Sequence, residues 1–179
     1  KLSKKGRASV GANPMVGCVI TRDGKIVAKD YHRQYGKSHA EVNALDQIKH
    51  RGKSAKLYVT LEPCSHQGKT PPCTKALIKA GVKKVVVAML DPNPVVSGRG
   101  VKLLKDAGIE VDIGLLQSEA MELNRGFVKR METGMPFVTT KIAMSLDGGT
   151  AMGSGESQWI TSEARSEERR VGKECRSRW

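Results

Sequence analysis

The chain has 179 residues, a length that suits one domain with at most part of a second. It contains no apolar run near the ~20 residues that cross a bilayer, so a membrane protein is not expected. The formal net charge is +13, but the basic residues are scattered and aromatic residues make up only 4%. This pattern favours a basic surface for a phosphorylated small molecule over a nucleic-acid groove.

Strands and helices alternate along the predicted chain, which indicates an α/β sheet with helices on both faces. Continuous apolar or β-branched runs predict strands, and apolar positions at helical spacing predict helices. The predicted strands are 16–21, 26–32, 56–61, 82–90 and 109–113. The predicted helices begin near residue 39 and cover 74–80, 98–107 and 117–131. Arg22-Asp23-Gly24 predicts a hairpin turn between the first two strands.

The stretch 39–73 contains the residue types of a catalytic zinc site. It holds the pair His39 and Glu41 and two cysteines that each follow a proline, Cys64 and Cys73. One imidazole and two thiolates bind zinc in deaminases, usually with a P-C-x-x-C spacing, whereas here eight residues separate the cysteines. A structural zinc site closes its tetrahedron with a fourth protein ligand. His66 is the single spare candidate nearby, so an open, catalytic site is favoured.

Glu41 is predicted to move protons and not to bind the metal. Two thiolates and a neutral imidazole leave a zinc site formally uncharged, so it acidifies water less than a tris-imidazole site would. A dedicated base is then valuable, and Glu41 lies two positions from His39 at a predicted helix start. Cys73 should occupy the first turn of the next helix, where the dipole favours a thiolate. Two cysteines committed to zinc favour a reducing, cytoplasmic location.

Several motifs extend this pattern beyond the zinc residues. They are NPMVGCVI, HAEVNAL, VTLEPCSHQGKTPPC, ALIKAGV and VVVAMLDPNP followed by GRG. Together they resemble the deaminase domain of the bifunctional deaminase/reductases of riboflavin biosynthesis, over nearly all of 13–130. The resemblance implies a three-layer α/β/α cytidine-deaminase-like fold, a deaminase domain at 1–132, and a possible homo-oligomer.

The resemblance also implies roles for particular residues. Zinc would be held by His39, Cys64 and Cys73, with Glu41 as proton donor and acceptor. The family's substrate is 2,5-diamino-6-ribosylamino-4(3H)-pyrimidinone 5′-phosphate, deaminated at the ring 2-position. The residues implied to contact it are Asn13, His32, Lys69, Asp91 and Asn93.

These substrate residues also have simpler interpretations. His32 could be an ordinary histidine at a strand end. Lys69 could be a solvated turn residue, and Asp91 and Asn93 could only stabilise a proline-rich turn. Gly98-Arg99-Gly100 could be only a helix entry. The family usually has Thr/Ser-Pro before the asparagine, where this chain has Gly-Ala, so the approach to Asn13 is expected to be looser.

Residues 133–162 resemble the beginning of the same family's NADPH-dependent reductase domain. In that family the positions of Ala143 and Trp159 lie against the nicotinamide cofactor, and that of Ser157 touches the substrate. A segment this short cannot bury a core of its own. We therefore expect a strand and loop there, with no NADPH binding and no reductase activity.

The two ends of the sequence carry separate expectations. Residues 163–179 lack apolar periodicity and are rich in arginine, which predicts a non-native or disordered basic tail with Cys175 as an incidental thiol. The chain begins at Lys1 without an initiator Met, so we expect a preceding segment.

Two other function classes stay open. A deaminase of tRNA or single-stranded DNA would agree with the net charge, but it favours the two-residue cysteine spacing and stacking aromatics. A non-catalytic, zinc-stabilised interaction module would have no use for the unligated carboxylate of Glu41.

Overall fold

The computed structural model describes residues 1–94, 96–142, 144–150 and 153–154. Its centre is a five-stranded mixed sheet with the strand order β2-β1-β3-β4-β5. The strands are β1 (Gly17–Arg22), β2 (Lys25–Tyr31), β3 (Lys56–Val59), β4 (Lys84–Val87) and β5 (Glu110–Ile113). β1 is antiparallel to both β2 and β3, whereas β3, β4 and β5 are parallel.

The hairpin between β1 and β2 forms where the turn chemistry predicts it. Asp23 and Gly24 have φ angles of 50° and 74°. Positive φ at both central residues is the geometry of the tight turn that matches the twist of paired strands. The hairpin places β2 at one edge of the sheet, and β2 ends immediately before His32.

Three helices cover one face of the sheet and enclose most of the core. They are α1 (Ala40–Gln47), α2 (Cys73–Ala80) and α3 (Arg99–Asp106). α1 packs on β1 and β2, and α3 packs on β5 and α2. The largest fully buried apolar side chains between these helices and the sheet are Ile20, Leu45, Leu57, Leu77, Leu104, Val85 and Val87. Burial of alternate strand residues follows from the two-residue period of a strand.

The single helix predicted over 117–131 is wrong, because the structure has two helices there. α4 (Gln117–Leu123) and α5 (Arg125–Thr133) are separated at Asn124, whose φ is −115°. The Asn124 Oδ1 accepts the Met15 N–H at 2.8 Å, and its Nδ2 donates to the Met15 carbonyl at 3.2 Å. Ala120 of α4 and Val128 of α5 join the same buried cluster as the strands. The predicted α/β architecture with helices on both faces is confirmed.

The described chain forms a compact unit from Lys1 to Phe137, and a second unit begins at Val138. In the second unit the described residues include a turn in which the Ser145 N–H donates to the Gly149 carbonyl at 2.9 Å. The strand expected after residue 136 is absent from the described residues 136–142 and 144–150. An extended segment needs a paired neighbour to become a strand, and no neighbour pairs with it in this described part. Ala143, Ser157, Trp159, Cys175 and the predicted tail lie outside the described residues.

Candidate metal centre and substrate cavity

The structure brings the three predicted zinc ligands together. The Nδ1 atom of His39 lies 3.5 Å from the Cys64 Sγ and 3.2 Å from the Cys73 Sγ. The three ligand atoms all lie within 4.8 Å of one another. Zn–S and Zn–N distances of about 2.3 and 2.0–2.1 Å in a tetrahedron separate sulfur from nitrogen by roughly 3.5 Å. The donor set and its spacing therefore fit one zinc ion with a fourth position left open.

Each predicted ligand residue lies at the start of a helix or in the loop that follows a strand. His39 is the residue before α1, and Cys64 follows β3. Cys73 is the first residue of α2, directly after Pro72, as the sequence predicts. The Cys73 N–H donates to the Cys64 Sγ at 3.3 Å, and the Thr74 N–H and Oγ1 both donate to the Cys64 carbonyl at 3.2 Å. These bonds fix the two sulfurs relative to each other before a metal binds.

The thiols are electrostatically prepared for a cation. The hydrogen bond from Cys73, assisted by His39 and the Cys73 amide, lowers the pKa of Cys64 to about 4 despite its burial. The same bond and burial raise the pKa of Cys73. The hydrogen bond to Cys64 raises the pKa of His39 against the effect of burial. A lowered thiol pKa favours the thiolate, which is the species that binds zinc.

Glu41 lies in the first turn of α1 beside this centre and is only 3% exposed. Burial raises the pKa of Glu41 to about 7, although the neighbouring His39 opposes the shift. Among the described residues its buried Oε2 has no hydrogen-bond partner. A buried polar atom without a partner is costly, which indicates that this oxygen faces a polar group of a ligand. Such a carboxyl can accept and release a proton near neutral pH.

A cavity of about 350 Å³ opens beside His39, Glu41 and Cys64. The five residues predicted to contact the deaminase substrate all line it: Asn13, His32, Lys69, Asp91 and Asn93. The cavity lies at the carboxyl ends of the parallel strands β3 and β4, where α/β sheets commonly bind ligands. The sequence-based grouping of these residues therefore agrees with their positions.

Asn13, His32 and Lys69 make side-chain contacts at the cavity wall. The Asn13 Nδ2 lies 3.3 Å from the His32 Nε2, and the His32 Nδ1 lies 3.2 Å from the Ser38 carbonyl. His32 is 3% exposed, and burial lowers its pKa. With a proton on Nδ1, the ring donates to Ser38 and accepts from Asn13. The Lys69 Nζ lies 4.2 Å from the centre of the Tyr35 ring, a cation–π contact.

Other cavity residues were not singled out by the sequence. Phe127 and Met131 lie in the helix predicted over 117–131, and both line the cavity. His66, the spare candidate for a fourth zinc ligand, also lines it. Glu62 adjoins the cavity as a buried carboxylate. The sequence signal for Glu62 was weak, because a single acidic residue after a strand is usually solvated.

An α/β sheet that holds a His-Cys-Cys metal centre beside a buried glutamate defines the cytidine-deaminase class of zinc sites. A family model described as the cytidine and deoxycytidylate deaminase zinc-binding region matches residues 1–89. A second model, described as the RibD C-terminal domain, matches residues 136–178.

Curated relatives narrow the class further. The chain is 58% identical over 162 residues to the riboflavin biosynthesis protein RibD of Escherichia coli, covering 90% of this chain and 44% of that protein. It is 52% identical over 136 residues to a protein of Buchnera aphidicola subsp. Schizaphis graminum named diaminohydroxyphosphoribosylamino-pyrimidine deaminase. That match covers 76% of this chain and 92% of the relative. The chain belongs to the RibD family of riboflavin-biosynthesis deaminases.

Solved structures agree with this assignment. Acinetobacter baumannii RibD superposes with a TM-score of 0.89 at 55% identity, covering 93% of this chain and 47% of that one. A Thermotoga maritima deaminase/reductase superposes with a TM-score of 0.86 at 43% identity, covering 95% and 49%. The chain thus spans less than half the length of these full-length relatives.

Proposed function

We propose that this chain catalyses the zinc-dependent hydrolytic deamination of 2,5-diamino-6-ribosylamino-4(3H)-pyrimidinone 5′-phosphate at the ring 2-position, a reaction of riboflavin biosynthesis. The observation that carries the proposal is the buried Glu41 carboxyl, with one oxygen unpartnered among the described residues, beside three preformed metal-ligand atoms. The name of the Buchnera relative, a diaminohydroxyphosphoribosylamino-pyrimidine deaminase, supports the choice of substrate.

The reaction exchanges an amine for oxygen. Water adds to the ring carbon, the C–N bond breaks, and ammonia leaves. Zinc, held by His39, Cys64 and Cys73, would supply the Lewis acidity that makes water nucleophilic at neutral pH. Glu41 would take one proton from the attacking water at Oε2 and pass it to the ring nitrogen. It would then carry the remaining hydroxyl proton to the amine, so that ammonia leaves as the C=O bond forms. Its pKa of about 7 supports both directions of transfer.

The cavity walls supply complementary groups for the rest of this substrate. Lys69 offers a cation for the phosphate, and the Asn13 amide and the His32 ring offer polar groups for the heterocycle. Asp91 and Asn93 offer polar groups for the ribose. Phe127 and Met131 supply apolar surface against which a planar ring can pack.

The remaining proposals concern location and cofactors. A cytoplasmic location follows from the need for Cys64 and Cys73 as thiolates. In the part of the chain that the structure describes, no helix is both long and apolar enough to cross a membrane. NADPH is the cofactor implied for the family's reductase domain. We propose that the segment 133–162 by itself does not bind NADPH.

The test is ammonia release by zinc-loaded protein and by its Glu41→Gln variant. Glu132→Gln makes the same chemical change at an exposed residue and serves as the control. We expect Glu41→Gln to retain one zinc per chain and lose about 10²–10⁴-fold in turnover, the contribution typical of a positioned acid–base group. Wild-type turnover in Glu41→Gln would refute the proposed role.

Parallel substrates separate the function classes. Cytidine and a tRNA anticodon stem are assayed beside the pyrimidinone phosphate. Release from the pyrimidinone alone supports the proposal, and release from the tRNA would favour a nucleic-acid deaminase. Zinc binding without release from any of the three would favour the non-catalytic zinc module.

A further inference from the structure

Glu62 is a buried carboxylate that no step of the proposed reaction uses. It lies between β3 and Cys64 and is 6% exposed. Its Oε2 accepts the N–H of Asp91 at 3.1 Å and the N–H of Gly98 at 2.9 Å, and its Oε1 accepts the N–H of Val101 at 3.1 Å. One side chain thus binds three backbone positions that lie 29 to 39 residues further along the chain.

Two of these three amides belong to the beginning of α3. The first N–H groups of a helix have no partner within the helix, and its positive dipole end favours an anion. Gly98, the residue before α3, makes no side-chain cap of its own. Glu62 therefore supplies from another element the acceptor that the helix lacks.

Gly100 allows this close approach. A Cβ atom at Gly100 would lie 2.1 Å from the Pro63 carbonyl oxygen and 3.1 Å from the Glu62 Oε1. Any side chain there would push the helix away from the carboxylate. The close approach to Pro63 and Glu62 thus explains Gly100, whereas Gly98 has the positive φ of 76° that favours glycine.

The bonds to Asp91 and Gly98 hold both ends of the loop 91–98. Within this loop the Asp91 Oδ1 accepts the Asn93 N–H at 2.9 Å, and both residues line the cavity. Cys64, two residues after Glu62, is one of the metal-ligand residues. The same short segment after β3 therefore carries a metal ligand and fixes the loop that faces it.

We infer that Glu62 is a positioning residue, which sets the distance between the metal centre and the substrate groups of Asp91 and Asn93. The inference deepens the proposed function and depends on it, because it assigns the loop to substrate binding. It predicts that loss of the carboxylate weakens substrate binding without removing the metal.

Glu62→Gln tests the inference with minimal change of shape. Glutamine has one acceptor oxygen, and its NH₂ group would face a backbone N–H, so at least one of the three bonds is lost. We expect KM to rise about tenfold, kcat to change less, and zinc content to stay unchanged. Leu104→Val is the control, because it loosens the fully buried packing of α3 without touching the carboxylate.

A double-mutant cycle with Asn93→Ala distinguishes positioning from general destabilisation. If Glu62 acts through the loop, Glu62→Gln will change kcat/KM much less in the Asn93→Ala background than in the wild type. Fully additive effects, or a KM for Glu62→Gln equal to that of Leu104→Val, would overturn the inference. Gly100→Ala displaces the helix from the same carboxylate and replaces Glu62→Gln in the cycle if that variant does not fold.

Amide hydrogen exchange gives a readout that does not depend on turnover. We expect the amides of Asp91, Gly98 and Val101 to exchange faster in Glu62→Gln than in Leu104→Val. Equal exchange in the two variants would overturn the inference even if the wild type is active. A wild-type protein that releases no ammonia, with these amides selectively protected by Glu62, would instead refute the proposed substrate and leave the positioning contact in place.

Discussion

Replacement of Asn124 by alanine should destabilise the fold and weaken substrate binding together. Asn124 is 4% exposed, and its amide makes a reciprocal pair of hydrogen bonds with the backbone of Met15, 109 residues away. Met15 is two residues from Asn13, whose amide contacts His32 at the cavity wall. The side chain therefore joins the start of α5 to the loop that carries a predicted substrate residue.

The expected loss of stability follows from these two bonds. Asn124→Ala leaves the Met15 N–H and carbonyl without their partners, and each unsatisfied group costs about 1–3 kcal/mol when water cannot replace the bond fully. Because Met15 is only half-buried, water can replace part of the lost hydrogen bonding of its N–H and carbonyl groups. We therefore expect the free energy of unfolding to fall by about 2–4 kcal/mol. The loosened loop should also raise KM for the pyrimidinone phosphate.

Urea unfolding followed by far-UV circular dichroism measures the loss. Arg130→Ala is the control, because its guanidinium donates one exposed hydrogen bond to the Ala12 carbonyl on the same loop, at 3.3 Å. Such an exposed contact is expected to contribute within about 0.5 kcal/mol. The reasoning would be refuted if Asn124→Ala unfolded at the same urea concentration as Arg130→Ala.

Two further predictions concern the metal and pH. Chelation should lower the melting temperature and stop ammonia release, and added zinc should restore both. The reason is that a ligand at a hundredfold its Kd stabilises the folded state by about 2.7 kcal/mol. An unchanged melting temperature would argue against a bound metal. Asp30 is 3% exposed; burial alone would raise its pKa, but bonds from Arg33, the Tyr31 amide and Gln47 lower it below the usual value. Asp30→Asn should therefore cost about 1–3 kcal/mol at neutral pH. The difference in the free energy of unfolding between Asp30→Asn and the wild type should shrink as the pH falls below about 4 and through the lowered pKa of Asp30 in the folded state. A difference that does not depend on pH would contradict the role of the charge.

The metal centre could be predicted from the sequence because its signals are local. His39 and Glu41 are two residues apart. Cys64 and Cys73 each directly follow a proline that marks a turn or a helix start. Apolar runs and turn residues likewise located the strands to within a few residues. The resemblance then supplied the cavity residues that spacing alone left ambiguous, such as Lys69.

The features that the sequence did not predict all depend on distant contacts. The apolar spacing continues from Ala120 to Met131, so the local pattern does not predict the break between the two helices at Asn124. At this break the Asn124 side chain binds the distant backbone of Met15. Glu62 looked like one more polar residue, because its partners are remote along the chain. Periodicity could place Phe127 on the inner face of a helix, but it could not tell a core from a cavity wall.

The residues of the site come from two parts of the chain. All three metal-ligand residues and Glu41 come from the stretch 39–73, inside the part of the chain that matches the general zinc-binding region of deaminases. Asp91, Asn93, Phe127 and Met131 come from the segment between the two matched regions. The matched region also supplies Asn13, His32 and Lys69, so the following segment completes a cavity wall that the matched region begins. Glu62 and Asn124 join these two parts, which is why we expect substitutions at both to change substrate binding before they change the metal.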